Sequence, residues 1–350
     1  MNVSHILVGL LLMLAHPAVA QGFAGLGTQA EGFAEPHAGL TLQFPQDHGA
    51  HPDFRIEWWY LTANLKDAQG TPYGVQWTLF RTALAPGEAE GWQSPQIWMG
   101  HAGLTSAEQH FSAERRARGG IGQAGVTTEP FQAWIDDWDM TGASDLSQLE
   151  FSARGRDFSY QLSADTGQPL VLQGDAGYSV KSAAGQASYY YSQPNYRIQG
   201  TITLPSGPVA VSGNGWLDRE WSSQPLSQDQ TGWDWFSLRF DSGDKLMGFV
   251  LRSENGVEDF RSGTWISAAG EVTALPPGAF QAVPLAQVDV AGRKIPVRWE
   301  VSLPNKEVFV TVEALNPQSW MYVSLSYWEG PVTVSGSHTG SGYLEMTGYQ

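Results

Sequence analysis

The chain contains no cysteine, which excludes disulfides, thiol catalysis, thiolate metal sites and a lipid anchor on an N-terminal cysteine. Its size makes staples dispensable, because chains of this length bury enough surface without them. Charge is also scarce, at 15% of residues, and basic charge is scarcest: 19 Lys and Arg stand against 35 Asp and Glu, for a net charge of −16. With no basic cluster beyond Arg115, Arg116 and Arg118, such a chain is repelled by nucleic acid and by anionic membrane surfaces. Nucleic acid is excluded as a partner. Beyond the first twenty residues no apolar run approaches the ~20 residues needed to span a bilayer. Common catalytic signatures are missing too. There is no Gly-x-Ser-x-Gly elbow and no glycine-rich phosphate cradle. His37, His48, His51, His101, His110 and His338 form no His-x-His or His-x-x-x-His pair, so no metal and no cofactor is expected.

What is present is aromatic and punctuated. The 350 residues include 15 Trp, 40 Gly and 20 Pro, with 42% hydrophobic. That composition suits many short strands joined by tight turns, and the length suggests two domains. The first twenty residues differ. An apolar run from Ile6 to Met13, followed by Ala18-Val19-Ala20, has the core and the small-x-small cleavage pattern of a signal peptide, although its first residues hold no Lys or Arg. Residues 1–20 are therefore read as a signal peptide, 21–40 as a linker, and the product as periplasmic or secreted.

From about Leu40 the pattern is strand, turn, strand. Segments 57–65 and 73–81 flank Asp67-Ala68-Gln69-Gly70 and form one hairpin. Further strands are expected at 149–153, 158–164, 196–204, 234–240, 245–252, 297–303, 307–314, 321–328 and 332–336, each bounded by turn formers. Only 106–118 reads as helix, with Thr105 or Ser106 as cap and Glu108 in the first turn. Trp58-x-Tyr60 and Trp233-x-Trp235 each open a hairpin that ends in arginine, at Arg81 and Arg252. Their separation is near half the chain, which suggests duplication into barrel-like halves at 41–210 and 211–350.

Tryptophan recurs beside carboxylates, in Glu57-Trp58-Trp59-Tyr60, Trp134 with Asp136-Asp137-Trp138-Asp139, Trp216 with Asp218-Arg219-Glu220-Trp221, and Trp233-Asp234-Trp235. On a strand Trp216, Asp218 and Glu220 share a face, with the two carboxyls about 7 Å apart. One could stay protonated as an acid while the other holds a water as base. Aromatic walls would raise such a pKa and steady a cation. Asp218, Glu220 and Asp234 are thus the candidate catalytic residues. Glu57, Trp58, Trp59, Tyr60, Arg81, Trp216, Trp221, Trp233, Trp235 and Arg252 are the candidate ligand-binding ones. The competing reading is structural: the carboxylates hold Arg81, Arg219, Arg239 or Arg252, and the tryptophans fill barrels.

Several motifs in order carry a family resemblance. They are Glu57-Trp58-Trp59-Tyr60-Leu61-Thr62, Gly100-His101-Ala102 with Glu114-Arg115, Trp134-x-x-Asp137-Trp138, Trp216 through Trp221, Gly232-Trp233-Asp234-Trp235-Phe236 and Tyr327-Trp328-Glu329-Gly330. Together they resemble the AttH-like and hydroxyneurosporene synthase (carotenoid 1,2-hydratase) family across nearly the whole chain after residue 20. The resemblance implies an all-β protein of two lipocalin-like antiparallel barrels packed side by side, from a lineage that handles hydrophobic molecules. Carotenoid hydratases carry histidine in the segment matching Asp218–Trp221, where this chain has Arg219 and Glu220.

The expected function is binding of an isoprenoid- or lipid-like molecule, with hydration of an alkene as the enzymatic form. The alternatives are a carrier or accessory protein of a lipid-exporting transporter and, less favoured, a carbohydrate-binding protein. If the N-terminal reading holds, sequencing the exported protein returns Gln21 as its first residue. Recovery of intact Met1 on exported protein would defeat it.

Overall fold

The computed structural model describes Leu26, Thr28, residues 30–254, Gly256 and residues 259–349. The expected signal peptide lies outside the described residues. Two antiparallel sheets make up the fold, each curled like a barrel. The first holds thirteen strands. They begin with β1 (Ile56–Lys66), β2 (Pro72–Ala83), β3 (Gln96–Thr105), β4 (His110–Arg118), β5 (Ala124–Thr128), β6 (Phe131–Ile135) and β7 (Trp138–Gly142). Next come β8 (Gln148–Arg154), β9 (Ser159–Asp165), β10 (Val171–Leu172), β11 (Tyr178–Val180), β12 (Ala187–Leu204) and β13 (Gly207–Ser222). The ten-stranded second sheet opens with β14 (Gln230–Phe240), β15 (Lys245–Ser253), β16 (Phe260–Ile266), β17 (Val272–Ala274) and β18 (Gln281–Val290). It closes with β19 (Arg293–Leu303), β20 (Val308–Ala314), β21 (Trp320–Met321), β22 (Tyr327–Gly336) and β23 (Gly340–Met346).

The strand orders are β4-β3-β2-β1-β13-β12-β9-β8-β7-β6-β5 and β17-β16-β15-β14-β23-β22-β20-β19-β18. In both sheets the first strand lies centrally, between the second strand and the last. The hairpins of Trp58 and Trp233 hold the same place in separate sheets, the arrangement a duplication produces. The strand Gly207–Ser222 pairs entirely within the first sheet, so the sheets change over at residues 223–229.

Two local expectations are corrected. Residues 106–118 are not helical. Ser106 turns the chain, its Oγ accepting from the Gln109 N–H at 3.1 Å, and β4 then pairs with β3 from Thr105↔His110 to Ile97↔Arg118. The polar features that suggested a helix cap serve a hairpin turn, because cross-strand pairing overrides local propensity. Among the described residues the helical pieces are three-residue 3₁₀ turns at Gln46–His48, Gly91–Gln93 and Pro304–Lys306. The second correction concerns 321–328, which is no single strand: β21 stops at Met321, and β22 runs unbroken from Tyr327 through Pro331 to Gly336. Pro331 packs on β2, where a Cβ at position 74 would lie 2.5 Å from its ring. Only glycine allows the two sheets to approach there.

Each sheet encloses its own apolar core, and a third apolar cluster lies between the sheets. It joins Tyr60, Tyr190 and Trp216 of the first to Trp235, Met247, Phe249 and Tyr343 of the second. Inside the first barrel sits an ion network around Glu57. Its carboxylate accepts from Arg81 Nε and Arg219 Nη2, and from the His51 N–H at 2.9 Å. Arg219 lies 3.8 Å from the centre of the Trp59 ring, and His51 stacks on Trp221 at 4.0 Å. Burial would raise the Glu57 pKa, but Arg219 and then Arg81 hold it well below the ordinary range. A carboxyl with a depressed folded pKa stabilises above its unfolded value, and that contribution fades as pH falls. Glu57→Gln is therefore expected to cost about 3–5 kcal/mol near neutral pH, because it strands buried guanidiniums. In denaturant titrations at a series of pH values, the gap to wild type narrows below about pH 4.5.

Candidate functional site: a cavity between the two sheets

Strand alternation sends every second residue of the central hairpins towards the partner sheet. From β1 these are Trp58 and Tyr60, and from β14 they are Trp233 and Trp235. With Phe80, Phe249 and Leu251 they line a cavity of about 500 Å³ between the sheets. That volume is within the range of small-molecule sites. The walls are mainly apolar and aromatic, and three carboxyls face in: Asp218, Glu220 and Glu345.

Asp218 is 2% exposed and, among the described residues, has no cationic partner. Tyr190 Oη donates to its Oδ2 at 2.7 Å, while Trp216 Nε1, also at 2.7 Å, and Ser192 Oγ donate to Oδ1. Burial pushes the Asp218 pKa up to about 7, with these donors opposing and the nearby Glu220 adding to the rise. Glu220 is held differently. Lys181 Nζ donates to it at 2.7 Å, and Ser188 Oγ donates to the same oxygen. The ammonium also lies 4.4 Å from the centre of the Phe249 ring. Glu345 accepts from Trp233 Nε1 at 2.5 Å. Burial pushes it too up to about 7, aided by Asp218 and Glu220. The register equates these two acids: Asp218 stands opposite Tyr60 on β13, and Glu345 stands opposite Trp235 on β23.

Polar contacts extend behind the walls. Trp235 Nε1 donates to Tyr190 Oη at 3.2 Å, and Tyr60 Oη donates to Glu329 at 2.5 Å. Burial, reinforced by Glu345, pushes the Glu329 pKa well above its ordinary value. Cavity-lining His101 contacts Tyr327 Oη at 3.1 Å and Glu114 at 3.3 Å. Burial lowers the His101 pKa, and Glu114 opposes that shift.

Of the residues singled out from the sequence, Trp58, Tyr60, Asp218, Glu220, Trp233 and Trp235 converge on the cavity. Trp216 supports it through Asp218. The others lie elsewhere. Glu57, Trp59, Arg81 and Trp221 occupy alternate positions of their strands and point into the first barrel. Asp234 is bound by Arg252 and by Tyr349 Oη at 3.0 Å, on the face of β14 opposite Trp233 and Trp235. Glu57 and Asp234 hold arginines. Glu345, Lys181, Tyr190, His101 and Tyr327 also line the cavity but were not singled out as site residues. His101 and Tyr327 belong to motifs that carried the family resemblance, while Glu345 and Lys181 had no sequence signal.

This fold and cavity define a two-barrel β protein with an acid-bearing apolar pocket between its halves. The chain matches the AttH-like family over residues 35–349 and belongs to it. It is similar to the crystal structure of a putative AttH from Nitrosomonas europaea, with 32% identity, 91% of this chain and 100% of that one covered, and a TM-score of 0.81. Kievitone hydratase from Nectria haematococca shares the fold at 15% identity, with 90% and 95% of the chains covered and a TM-score of 0.66. CghA with Sch210972 does so at 15% identity, with 91% and 97% covered and a TM-score of 0.55. No curated protein sequence matches the chain. No helix among the described residues is long and apolar enough to cross a membrane, and no group of three or more His, Cys, Asp or Glu residues among them could hold a metal ion.

A carboxyl whose folded pKa is raised binds protons more tightly folded than unfolded, so stability falls as pH rises between the two values. For Asp218 that window runs from 3.8 to about 7. Asp218→Asn should gain on wild type across it, by up to about 4 kcal/mol, read from melting temperatures at a series of pH values. A constant difference would mean that Asp218 is ionised throughout.

Proposed function

We propose that the cavity binds a hydrophobic, alkene-containing small molecule and that the protein hydrates it, with Asp218 as the acid. The observation that carries this reading is a buried carboxyl, without a cationic partner among the described residues and with a pKa near neutrality, facing an apolar aromatic cavity. Such a group can be protonated at working pH, as a general acid must be. Protonated Asp218 delivers its proton to one alkene carbon, the π electrons forming the new C–H bond. The other carbon becomes cationic, and the faces of Trp58, Tyr60 and Trp235 can stabilise it. Water adds there while Glu345 accepts the proton it releases. The sum is alkene plus water to alcohol, and one proton passes from Glu345 back to Asp218 between turnovers. Kievitone hydratase, a hydratase by name, shares the fold and supports this class of reaction. We also propose export, on the strength of Ile6–Met13 and Ala18-Val19-Ala20.

Farnesol, geranylgeraniol and linoleic acid are suitable probes. Binding should change tryptophan fluorescence saturably, since Trp58, Trp233 and Trp235 form the walls. Turnover would appear by mass spectrometry as a gain of one water. Asp218→Asn is expected to lower turnover on the order of 10²-fold or more, with affinity nearly unchanged because the amide preserves the shape of the wall. Saturable binding with no hydrated product would leave a carrier, for example one serving a lipid-exporting transporter. A response to oligosaccharides alone would overturn the apolar-ligand reading.

A further inference from the structure

The cavity wall also carries a cation that no carboxylate neutralises among the described residues. Arg55 lines the cavity and is half-buried, yet among the described residues no carboxylate pairs with it. Its side chain donates to Thr28 Oγ1 at 2.6 Å and reaches the Leu26 carbonyl at 3.4 Å. Both are neutral acceptors. Lys181, the other Lys or Arg on the cavity wall, is neutralised by Glu220. The Arg55 backbone is fixed from two sides. Its N–H donates to Ser223 Oγ at 3.2 Å, and its carbonyl accepts from the Ala83 N–H at 2.7 Å. The guanidinium is thereby presented from an anchored position. Burial with no compensating charge depresses the Arg55 pKa. A bound anion would relieve that cost.

The cavity combines apolar and aromatic walls with a few charged groups. Arg55, in the bend before β1, precedes Trp58, opposite the Lys181-paired Glu220, by three positions and Tyr60, opposite Asp218, by five, the latter at most roughly 16 Å at ~3.3 Å per residue. Trp58, Phe80 and Leu251 lie among the walls. Leu84, 64% exposed, and Leu325, 40% exposed, also line the cavity and mark where it opens. An anion is disfavoured beside Asp218 and Glu345, which have no cationic partner among the described residues. The net charge of −16 opposes anions at a distance, but it is screened beyond roughly 8–10 Å at physiological salt, so Arg55 decides the contact.

We propose that the ligand is an amphipathic acid, a long unsaturated hydrocarbon chain whose carboxylate or phosphate is held by Arg55. The chain then extends along Trp58 and Phe80 and presents a double bond to Asp218. This inference rests on the apolar-ligand reading above and adds to it a headgroup and a direction of entry. An acid and its neutral ester separate the two. Oleic acid, methyl oleate and farnesyl monophosphate are titrated against the full-length protein by tryptophan fluorescence, using wild type, Arg55→Gln and Arg55→Lys. The acid should bind wild type on the order of 10- to 100-fold more tightly than the ester, the scale of a charge-assisted hydrogen bond. Arg55→Gln should bring acid affinity down to that of the ester and leave the ester unchanged, which also shows that the variant is folded. Arg55→Lys should keep part of the preference. Whichever anion, oleate or farnesyl monophosphate, binds wild type more tightly identifies the headgroup as carboxylate or phosphate. Equal affinity for acid and ester, or a Gln variant that weakens both alike, overturns the headgroup while apolar binding stands. If none of the three binds, both readings fall.

Discussion

The interface rests on one antiparallel ladder. β1 and β13 pair without a break from Ile56↔Ser222 to Lys66↔Ser212. Because side chains alternate, this double strand has two chemistries back to back. On its inner face, Glu57, Trp59, Arg219 and Trp221 form the ion and aromatic network of the first barrel. On its outer face, Trp58, Tyr60, Trp216, Asp218 and Glu220 meet the second sheet. A slip of one residue would exchange the two sets. Paired charges would then face the cavity, and the uncompensated Asp218 would lie among arginines. The buried Glu57 cluster guards against that slip, since its bonds exist in one register only.

The second sheet repeats the plan with different chemistry. β14 and β23 stand where β1 and β13 stand, and Glu345 takes the position opposite Trp235 that Asp218 takes opposite Tyr60. Arg252 binds Asp234 within the second half, as Arg81 binds Glu57 within the first. Each half contributes one acid with a pKa near 7 to the shared cavity. Neither half could do so alone, because desolvation of these carboxyls comes from facing sheets. Trp233 reaches Glu345 within its own half, whereas Trp235 reaches Tyr190 across the interface.

Much of this was legible from residue pattern. Hairpins 57–65/73–81 and 234–240/245–252 could be read because alternation and turn residues are local signals. The shared face of Trp216, Asp218 and Glu220 followed from the period of a strand. Residues 106–118 were misread because Ser106 and Glu108 satisfy the grammar of a helix cap, while the partner that makes them a hairpin, β3, lies outside the window. Residues 321–328 were misread as one strand because their aromatic and β-branched residues satisfy the strand pattern, while the break at 322–326 is fixed by how β21 and β22 pair, which lies outside the local window.

By itself the sequence determined the strand-rich class, the duplicated hairpins, the family and the residue types available for acid chemistry, all of which depend on short-range pattern or ordered motifs. Only the tertiary structure decided which carboxyls carry a partner. Asp234 and Glu57 meet arginines and Asp218 does not, yet all three stand beside tryptophans in the chain. The tertiary structure also brought Lys181 to Glu220, Glu345 to the cavity and Arg55 to its rim, from segments far apart in sequence. A carboxyl's charge is set by what surrounds it in space, and that surrounding exists only once the two sheets have closed on each other.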